Sequence, residues 1–118
     1  MTRPESLPRQ ARLQHTSEFR HVYDHGRPER GRNIVLLVER HDPPDILRAG
    51  VVASRKVGDA VRRNRAKRLM REAFRKVRVE VTSPAHLVLV ATRACPHASA
   101  ADVAAELRTL LQRAGLLP

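Results

Sequence analysis

Residues 55–78 read RKVGDAVRRNRAKRLMREAFRKVR and carry most of the positive charge of this 118-residue chain. They contain eleven of the 23 lysines and arginines but only two of the twelve acidic residues, Asp59 and Glu72. The formal charge of this stretch is therefore +9 out of a total of +11, and the other 94 residues are close to neutral. Charge concentrated in this way is typical of a surface that binds a polyanion.

The same stretch predicts an amphipathic helix that begins near Ala60, with Asp59 as its N-cap. When successive residues are rotated by about 100°, the apolar residues share one face: Ala66, Leu69, Met70, Ala73, Phe74 and Val77. The opposite face is polar and basic: Asn64, Lys67, Arg68, Arg71, Arg75 and Arg78. Since almost no acid balances this second face, we interpret it as a phosphate-binding surface rather than a merely solvated one.

Two further helices are predicted on either side of the basic one. The first covers residues 16–26, with Thr16 or Ser17 as its N-cap, and it ends at a glycine. The last begins at Ser99, which forms a capping-box pattern with the aspartate three residues later, and ends at Gly115. Its apolar stripe is formed by Val103, Leu107, Leu110, Leu111 and Ala114.

Three β-strands are predicted from β-branched and aliphatic runs at residues 33–40, 46–54 and 87–92. The first two flank the turn sequence HDPPD, so we expect them to form an antiparallel hairpin. The third, LVLVAT, is an unbroken apolar run, which indicates burial on both faces of the sheet.

The length of the chain leaves room for one domain, which we place at residues 13–118, after a flexible basic arm at residues 1–12. Cys95 is the only cysteine, which excludes a disulfide framework and a multi-thiolate metal site. Since no apolar run reaches the length of a signal peptide or a membrane span, we expect a soluble cytoplasmic protein.

The basic stretch resembles the signature of the bacterial ribonuclease P protein component. From Lys56 to Phe74 it follows the pattern K-x-G-x-A-V-x-R-N-x-x-K-R-x-x-R-E-A-F. The likeness extends to RL at residues 12–13, EF at residues 18–19 and VY at residues 22–23. The later strand and the closing Leu-rich helix also take the places that this family gives them.

The resemblance implies a single-domain α+β fold in the order α-β-β-β-α-β-α. The implied sheet has four strands, one of them a short extra strand near residues 27–32, and a left-handed β-α-β crossover surrounds the basic helix. The resemblance also implies the protein subunit of a ribonucleoprotein endonuclease that removes the 5′ leader of precursor tRNA. The expected partners are the catalytic RNA subunit and the leader-bearing precursor tRNA, with no membrane and no obligate protein partner.

By the same resemblance, eight residues would face the RNA subunit: Arg55, Lys56, Arg63, Asn64, Arg65, Lys67, Arg68 and Arg71. The leader would lie in a cleft between the first helix and the sheet, in contact with Phe19 and Tyr23. Two aromatic residues at this helical spacing are equally compatible with a core position.

We expect no catalytic residue and no metal site in the protein itself. The chain shows no carboxylate cluster with metal-ligand spacing and no nucleophile with a neighbouring base, so no hydrolysis is expected from the protein alone. The resemblance implies that Mg²⁺ is bound mainly by the RNA subunit and that the protein alone binds no cofactor.

The chief alternative is a ribosomal or assembly protein that uses the same basic surface on ribosomal RNA. A membrane-surface or calmodulin-binding helix is disfavoured because the apolar face lacks interfacial tryptophan. A DNA-binding helix-turn-helix lacks the preceding helix, and an RNA-recognition-motif sheet lacks its aromatic residues. Zinc binding by His15, His21 and His25 is disfavoured because no further ligand accompanies them.

Overall fold

The computed structural model describes residues 7–40 and 46–118 of the chain. Residues 1–6 of the predicted arm and the HDPPD turn at residues 41–45 lie outside the described residues. The elements follow one another as α1 (Thr16–His25), β1 (Arg27–Arg30), β2 (Ile34–Glu39), β3 (Arg48–Val52), α2 (Ala60–Val77), β4 (His86–Ala91) and α3 (Ala100–Arg113). This is the α-β-β-β-α-β-α order that the family resemblance implies.

The four strands form one mixed sheet in the order β1-β2-β4-β3. β4 runs antiparallel to β2, with Leu36 opposite Leu89, and parallel to β3, with Ala49 opposite Leu87. The predicted hairpin between β2 and β3 is therefore wrong, because β4 lies between these strands. The physical reason is the apolar character of β4: a strand buried on both faces belongs in the middle of a sheet, where both of its edges find hydrogen-bond partners.

β1 is the strand that hydrophobic patterning does not detect. Its sequence, RPER, is polar and mostly exposed, and it pairs antiparallel with β2 at the edge of the sheet. Charged residues and proline are common on edge strands because they discourage pairing with another chain. The short extra strand implied by the resemblance is confirmed here.

Helices α2 and α3 cover one face of the sheet and enclose the main core. The six apolar residues predicted for α2 are all buried, and Phe74 is only 1% exposed. The predicted stripe of α3 is buried too, apart from Ala114, which is partly exposed. Within the described ranges, no helix is both long enough and apolar enough to cross a membrane.

The opposite face of the sheet is covered only in part. Val22 of α1 packs there against Val88 and Leu13 in a second, smaller cluster. Beside this cluster Leu37 and Val90 remain partly exposed. Phe19 of α1 and Gly50 of β3 line the cleft described below.

The ends of the helices depend on side-chain caps. Asp59 Oδ1 accepts the N–H of Arg62 at 3.0 Å, and Ser99 Oγ accepts the N–H of Asp102 at 3.0 Å, as predicted. The prediction for α1 is wrong by one or two residues, since its N-cap is His15. A Glu18 carboxylate oxygen accepts the His15 backbone N–H at 2.9 Å, which shifts the start of the helix to this position.

Residues 7–12, which the sequence assigns to a flexible arm, pack against the domain. Arg9–Ala11 forms a 3-10 turn in which Ala11 is 2% exposed. The backbone N–H of Leu13 donates to the carbonyl of Ala49 at 3.0 Å, and Arg12 forms a parallel bridge with Ala49. This segment therefore lies along the outer edge of β3.

Candidate nucleic-acid interface

A glycine turn holds the N-terminal end of the basic surface. Ser54 Oγ accepts the N–H of Lys56 at 3.3 Å and so begins a 3-10 turn over Arg55–Val57. Gly58 then has φ +142°, a conformation that residues with a side chain rarely adopt. Because the turn leads directly into α2, Arg55 and Lys56 are exposed beside the start of that helix.

The eight predicted RNA-facing residues lie on this turn and on α2, and together we call them the α2 basic face: Arg55, Lys56, Arg63, Asn64, Arg65, Lys67, Arg68 and Arg71. Arg63 and Lys67 are partly buried, and the other six are exposed. Six of the eight thus lie on a helix whose apolar side anchors it to the core, and Arg55 and Lys56 lie on the turn before it.

Several arginines of α2 are engaged within the protein. Arg65 Nε donates to the carbonyl of Pro96 at 2.7 Å, which ties α2 to the turn Cys95–His97. Arg75 forms an ion pair with Glu72, and the Arg75 hydrogen bond lowers the pKa of that carboxyl. The family resemblance places both Arg65 and Arg68 among the RNA-facing residues, but within the described ranges only Arg65 of the two also has a protein partner.

Other arginines of α2 have no such partner. Across residues 7–40 and 46–118, Arg68 and Arg71 make no hydrogen bond and no ion pair, although both are exposed. Arg63 Nε is buried and likewise lacks a hydrogen-bond partner there. Guanidinium groups without a protein partner are available to phosphate oxygens, which they bind through two parallel N–H groups.

A cleft of about 340 Å³ opens beside α2, and we call it the Phe19 cleft. Its lining combines apolar groups with basic ones: Leu7, Arg9, Arg12, Leu13, Gln14, Phe19, Ala49, Gly50, Val51, Arg71 and Phe74. A second cavity of about 420 Å³, the α2 groove, is lined by Leu7, Arg12, Asn64, Arg68, Arg71, Glu72 and Arg75. The two cavities share Leu7, Arg12 and Arg71.

The two aromatic residues of α1 have different environments. Phe19 is partly buried and lines the Phe19 cleft, where its ring lies against Gly50. Tyr23 is 49% exposed and does not line this cleft. The structure therefore brings Phe19 together with Arg71, while Tyr23 lies one helical turn farther along.

Sequence reasoning missed Arg12, which lines both cavities. Its signal was present: Ala11-Arg12-Leu13 alternates apolar, basic and apolar residues, a pattern typical of a strand with one buried face. Ala11 and Leu13 are indeed buried, and Arg12 is exposed.

The histidines of α1 lie close together but do not form a metal site. The rings of His21 and His25 are 4.4 Å apart, and His21 Nδ1 is 3.4 Å from Glu39 Oε2. In the part of the chain that the structure describes, no three histidine, cysteine or acidic residues are grouped to hold a metal ion.

Comparisons with known proteins agree with this architecture. The Ribonuclease P family model matches residues 7–115. A ribonuclease P protein component from Desulfovibrio desulfuricans is 43% identical over 110 residues, which cover 91% of this chain and 85% of that protein. The solved RNase P protein of Thermotoga maritima has a TM-score of 0.73 at 27% identity and covers 86% of this chain and 96% of its own. The Staphylococcus aureus RNase P protein shares the fold with a TM-score of 0.77 at 23% identity, over 92% of this chain and 98% of its own.

Proposed function

Because this chain belongs to the ribonuclease P protein family and is the protein component of that tRNA-processing endonuclease, we propose that the α2 basic face and the Phe19 cleft bind different RNAs. The α2 basic face binds the RNA subunit, which carries out the hydrolysis. The Phe19 cleft binds the 5′ leader of precursor tRNA. The observation that carries this proposal is a pair of guanidinium groups, Arg68 and Arg71, that have no partner among the described residues and lie on a helix anchored beside an aromatic-lined cleft.

The α2 basic face suits a structured RNA backbone. Its 18-residue helix is fixed by six buried apolar side chains, so the basic groups are held in a constant arrangement. Such a helix is about 27 Å long at a rise of 1.5 Å per residue, which spans several phosphates. Arg65 has only its Nε bonded to Pro96, which leaves its terminal nitrogens for phosphate.

The Phe19 cleft suits a single strand. Val51 provides apolar surface, Phe19 provides an aromatic ring, and Arg71 provides a cation. Stacking of bases on an aromatic side chain tolerates any sequence, as binding of varied leaders requires. Tyr23, which lies outside this lining, would contact only a leader that continues along α1.

We also propose that Mg²⁺ is bound mainly by the RNA subunit. The α2 basic face presents guanidinium groups, whereas Mg²⁺ prefers carboxylate, carbonyl and water oxygens. This donor set fits phosphate and does not fit a cation. The protein neutralises phosphates that would otherwise repel one another or compete for the bound metal ions.

Reconstitution tests the proposal. Cleavage of a leader-bearing precursor tRNA at low Mg²⁺ should be faster when this protein is added to its RNA subunit. The double variant Arg68→Ala/Arg71→Ala should lose most of this effect, whereas Arg20→Ala, which removes an exposed charge from α1, should keep it.

Salt dependence provides a second readout. If about six phosphates are neutralised, the logarithm of RNA affinity should fall against the logarithm of salt concentration with a slope of about −4 to −5. A slope near zero, or no acceleration of cleavage, would contradict the proposal.

A further inference from the structure

The segment before α1 holds one guanidinium group in a defined place. The residues on either side of Arg12 are buried, with Ala11 2% and Leu13 6% exposed. The backbone bridge to Ala49 fixes the segment against β3. Because both neighbours point into the protein, the Arg12 side chain points outward, and it is exposed.

Arg12 and Arg71 lie where the two cavities adjoin. Both residues line the Phe19 cleft, and both line the α2 groove. One comes from the N-terminal segment and the other from the middle of α2, so two separate elements supply the two cations. A strand that occupies both cavities would therefore lie beside both side chains.

The guanidinium groups of Arg12 and Arg71 have no hydrogen bond or ion pair within the described part of the chain. Their neighbours differ in this respect, since Arg9 Nε donates to Gln14 Oε1 at 3.1 Å and Arg75 pairs with Glu72. Glu72 lines the α2 groove, but its carboxylate is already bound by Arg75, which lowers its pKa. Among residues 7–40 and 46–118, no acidic side chain is therefore paired with Arg12 or Arg71.

We infer that Arg12 and Arg71 together bind one phosphodiester of the 5′ leader, at the point where the strand passes from the Phe19 cleft to the α2 groove. The inference rests on the proposed function and adds a third wall, residues 7–14, to the leader site. A planar guanidinium can donate two N–H groups, so two arginines can occupy both non-bridging oxygens of a phosphate. The ring of Phe19 is then placed to contact a neighbouring base.

The test uses the reconstituted holoenzyme and two precursor tRNAs, one with a leader of about ten nucleotides and one with a leader of about one nucleotide. Arg12→Ala should weaken binding of the long-leader substrate about five- to tenfold and leave the short-leader substrate unchanged. Arg20→Ala, whose charge lies on α1 and lines neither cavity, should change neither. Equal binding of the long leader by the parent protein and by Arg12→Ala would overturn the inference.

A double-variant cycle asks whether the two arginines share a phosphate. Because Arg71 also belongs to the α2 basic face, leader binding is measured at protein concentrations that saturate the RNA subunit. The loss in Arg12→Ala/Arg71→Ala should then be smaller than the product of the two single losses, since either change already breaks the joint contact. A loss equal to that product means separate ligands and overturns the inference.

Two controls separate the possible causes of failure. If Arg12→Ala does not fold, Arg12→Gln keeps most of the aliphatic stem without the charge and should show the same leader-dependent loss. If the parent protein does not bind the RNA subunit, the proposed function fails. If the parent assembles and cleaves while both Arg12 variants bind the long leader normally, only the present inference fails.

Discussion

The ring of Phe19 lies directly over the backbone of Gly50. A Cβ atom at residue 50 would be 2.3 Å from both Cε1 and Cζ of that ring, a separation that atoms cannot adopt. Gly50 is buried in β3, opposite Val88 of β4, so the strand cannot move away easily. The absence of a side chain at residue 50 therefore sets the position of the aromatic wall of the Phe19 cleft.

Replacement of this glycine is expected to displace Phe19. Gly50→Ala should lower the free energy of unfolding by about 1–3 kcal/mol, because the ring has to leave its packed position. It should also weaken binding of leader-bearing precursor tRNA. Urea denaturation and a comparison of long-leader and short-leader substrates would measure the two effects.

A second change distinguishes the steric effect from the loss of stacking. In Gly50→Ala/Phe19→Leu the shorter side chain should relieve the clash and restore part of the stability. Leader binding should remain weak, since leucine offers no aromatic face. Recovery of leader binding in this double variant would show that Phe19 acts only as core.

Arg65 and Arg68 are expected to respond differently to the same substitution. Arg65→Ala removes the hydrogen bond to Pro96, so the free energy of unfolding should fall by about 1 kcal/mol. Arg68→Ala removes a group without a partner in the described ranges, and its stability should stay within about 0.5 kcal/mol of the parent. Both variants should bind the RNA subunit more weakly. Equal stabilities in urea denaturation would mean that the Pro96 contact contributes nothing.

Glu18 is expected to make the free energy of unfolding depend on pH in acidic solution. Burial raises the pKa of its carboxyl, but the N–H groups of Gln14 and His15 and the charge of Arg48 outweigh burial and leave this pKa lowered. The folded state then binds the Glu18 proton more weakly than the unfolded state. The contribution of Glu18 to the free energy of unfolding is therefore present above the unfolded pKa and is lost as the pH falls through the folded pKa.

Glu18→Gln should accordingly be less stable than the parent near neutral pH, and the difference should shrink below about pH 4. Thermal unfolding of both proteins, from neutral pH to below about pH 4, would measure this difference in stability. Asp24→Asn is the matched control on the same helix, because within the described residues its exposed carboxylate accepts no hydrogen bond. A difference between Glu18→Gln and the parent that stays constant with pH would contradict the expectation.

Cys95 is expected to resist thiol reagents. Burial, with the charge of Glu106, raises the pKa of its thiol to about 11, and the side chain is 0% exposed. Because the thiolate is the reactive form, alkylation near pH 8 should be roughly a hundredfold or more slower in the folded protein than in urea. Mass spectrometry of iodoacetamide-treated samples would measure both rates, and rapid labelling of the folded chain would show that the site opens.

The helices could be predicted well from sequence because their determinants are local. Every apolar residue assigned to the buried side of α2 is buried, and both Asp59 and Ser99 cap the helices they precede. These features depend on residues three or four positions apart, and such spacing is visible in a single sequence.

Strand pairing and the side-chain partners of the site depend on residues that are distant in sequence. Nothing in residues 33–54 indicates that β4 will separate β2 from β3, since the competing partner is some forty residues away. The Pro96 carbonyl that binds Arg65 is 31 positions away. Arg12 falls within the predicted arm because its backbone bridge to Ala49 of β3 joins residues that are far apart in sequence.

The central place of β4 also bears on how the chain is made. A nascent chain that ends before residue 86 has β1 and β2 but lacks the strand that β3 requires as its neighbour in the sheet. During that interval the apolar side of α2 lacks much of the surface on which it later packs, while its arginines are already able to attract nucleic acid on the ribosome. Residues from β4 onward therefore complete the domain, and truncation upstream of β4 should leave an aggregation-prone fragment rather than a smaller folded unit.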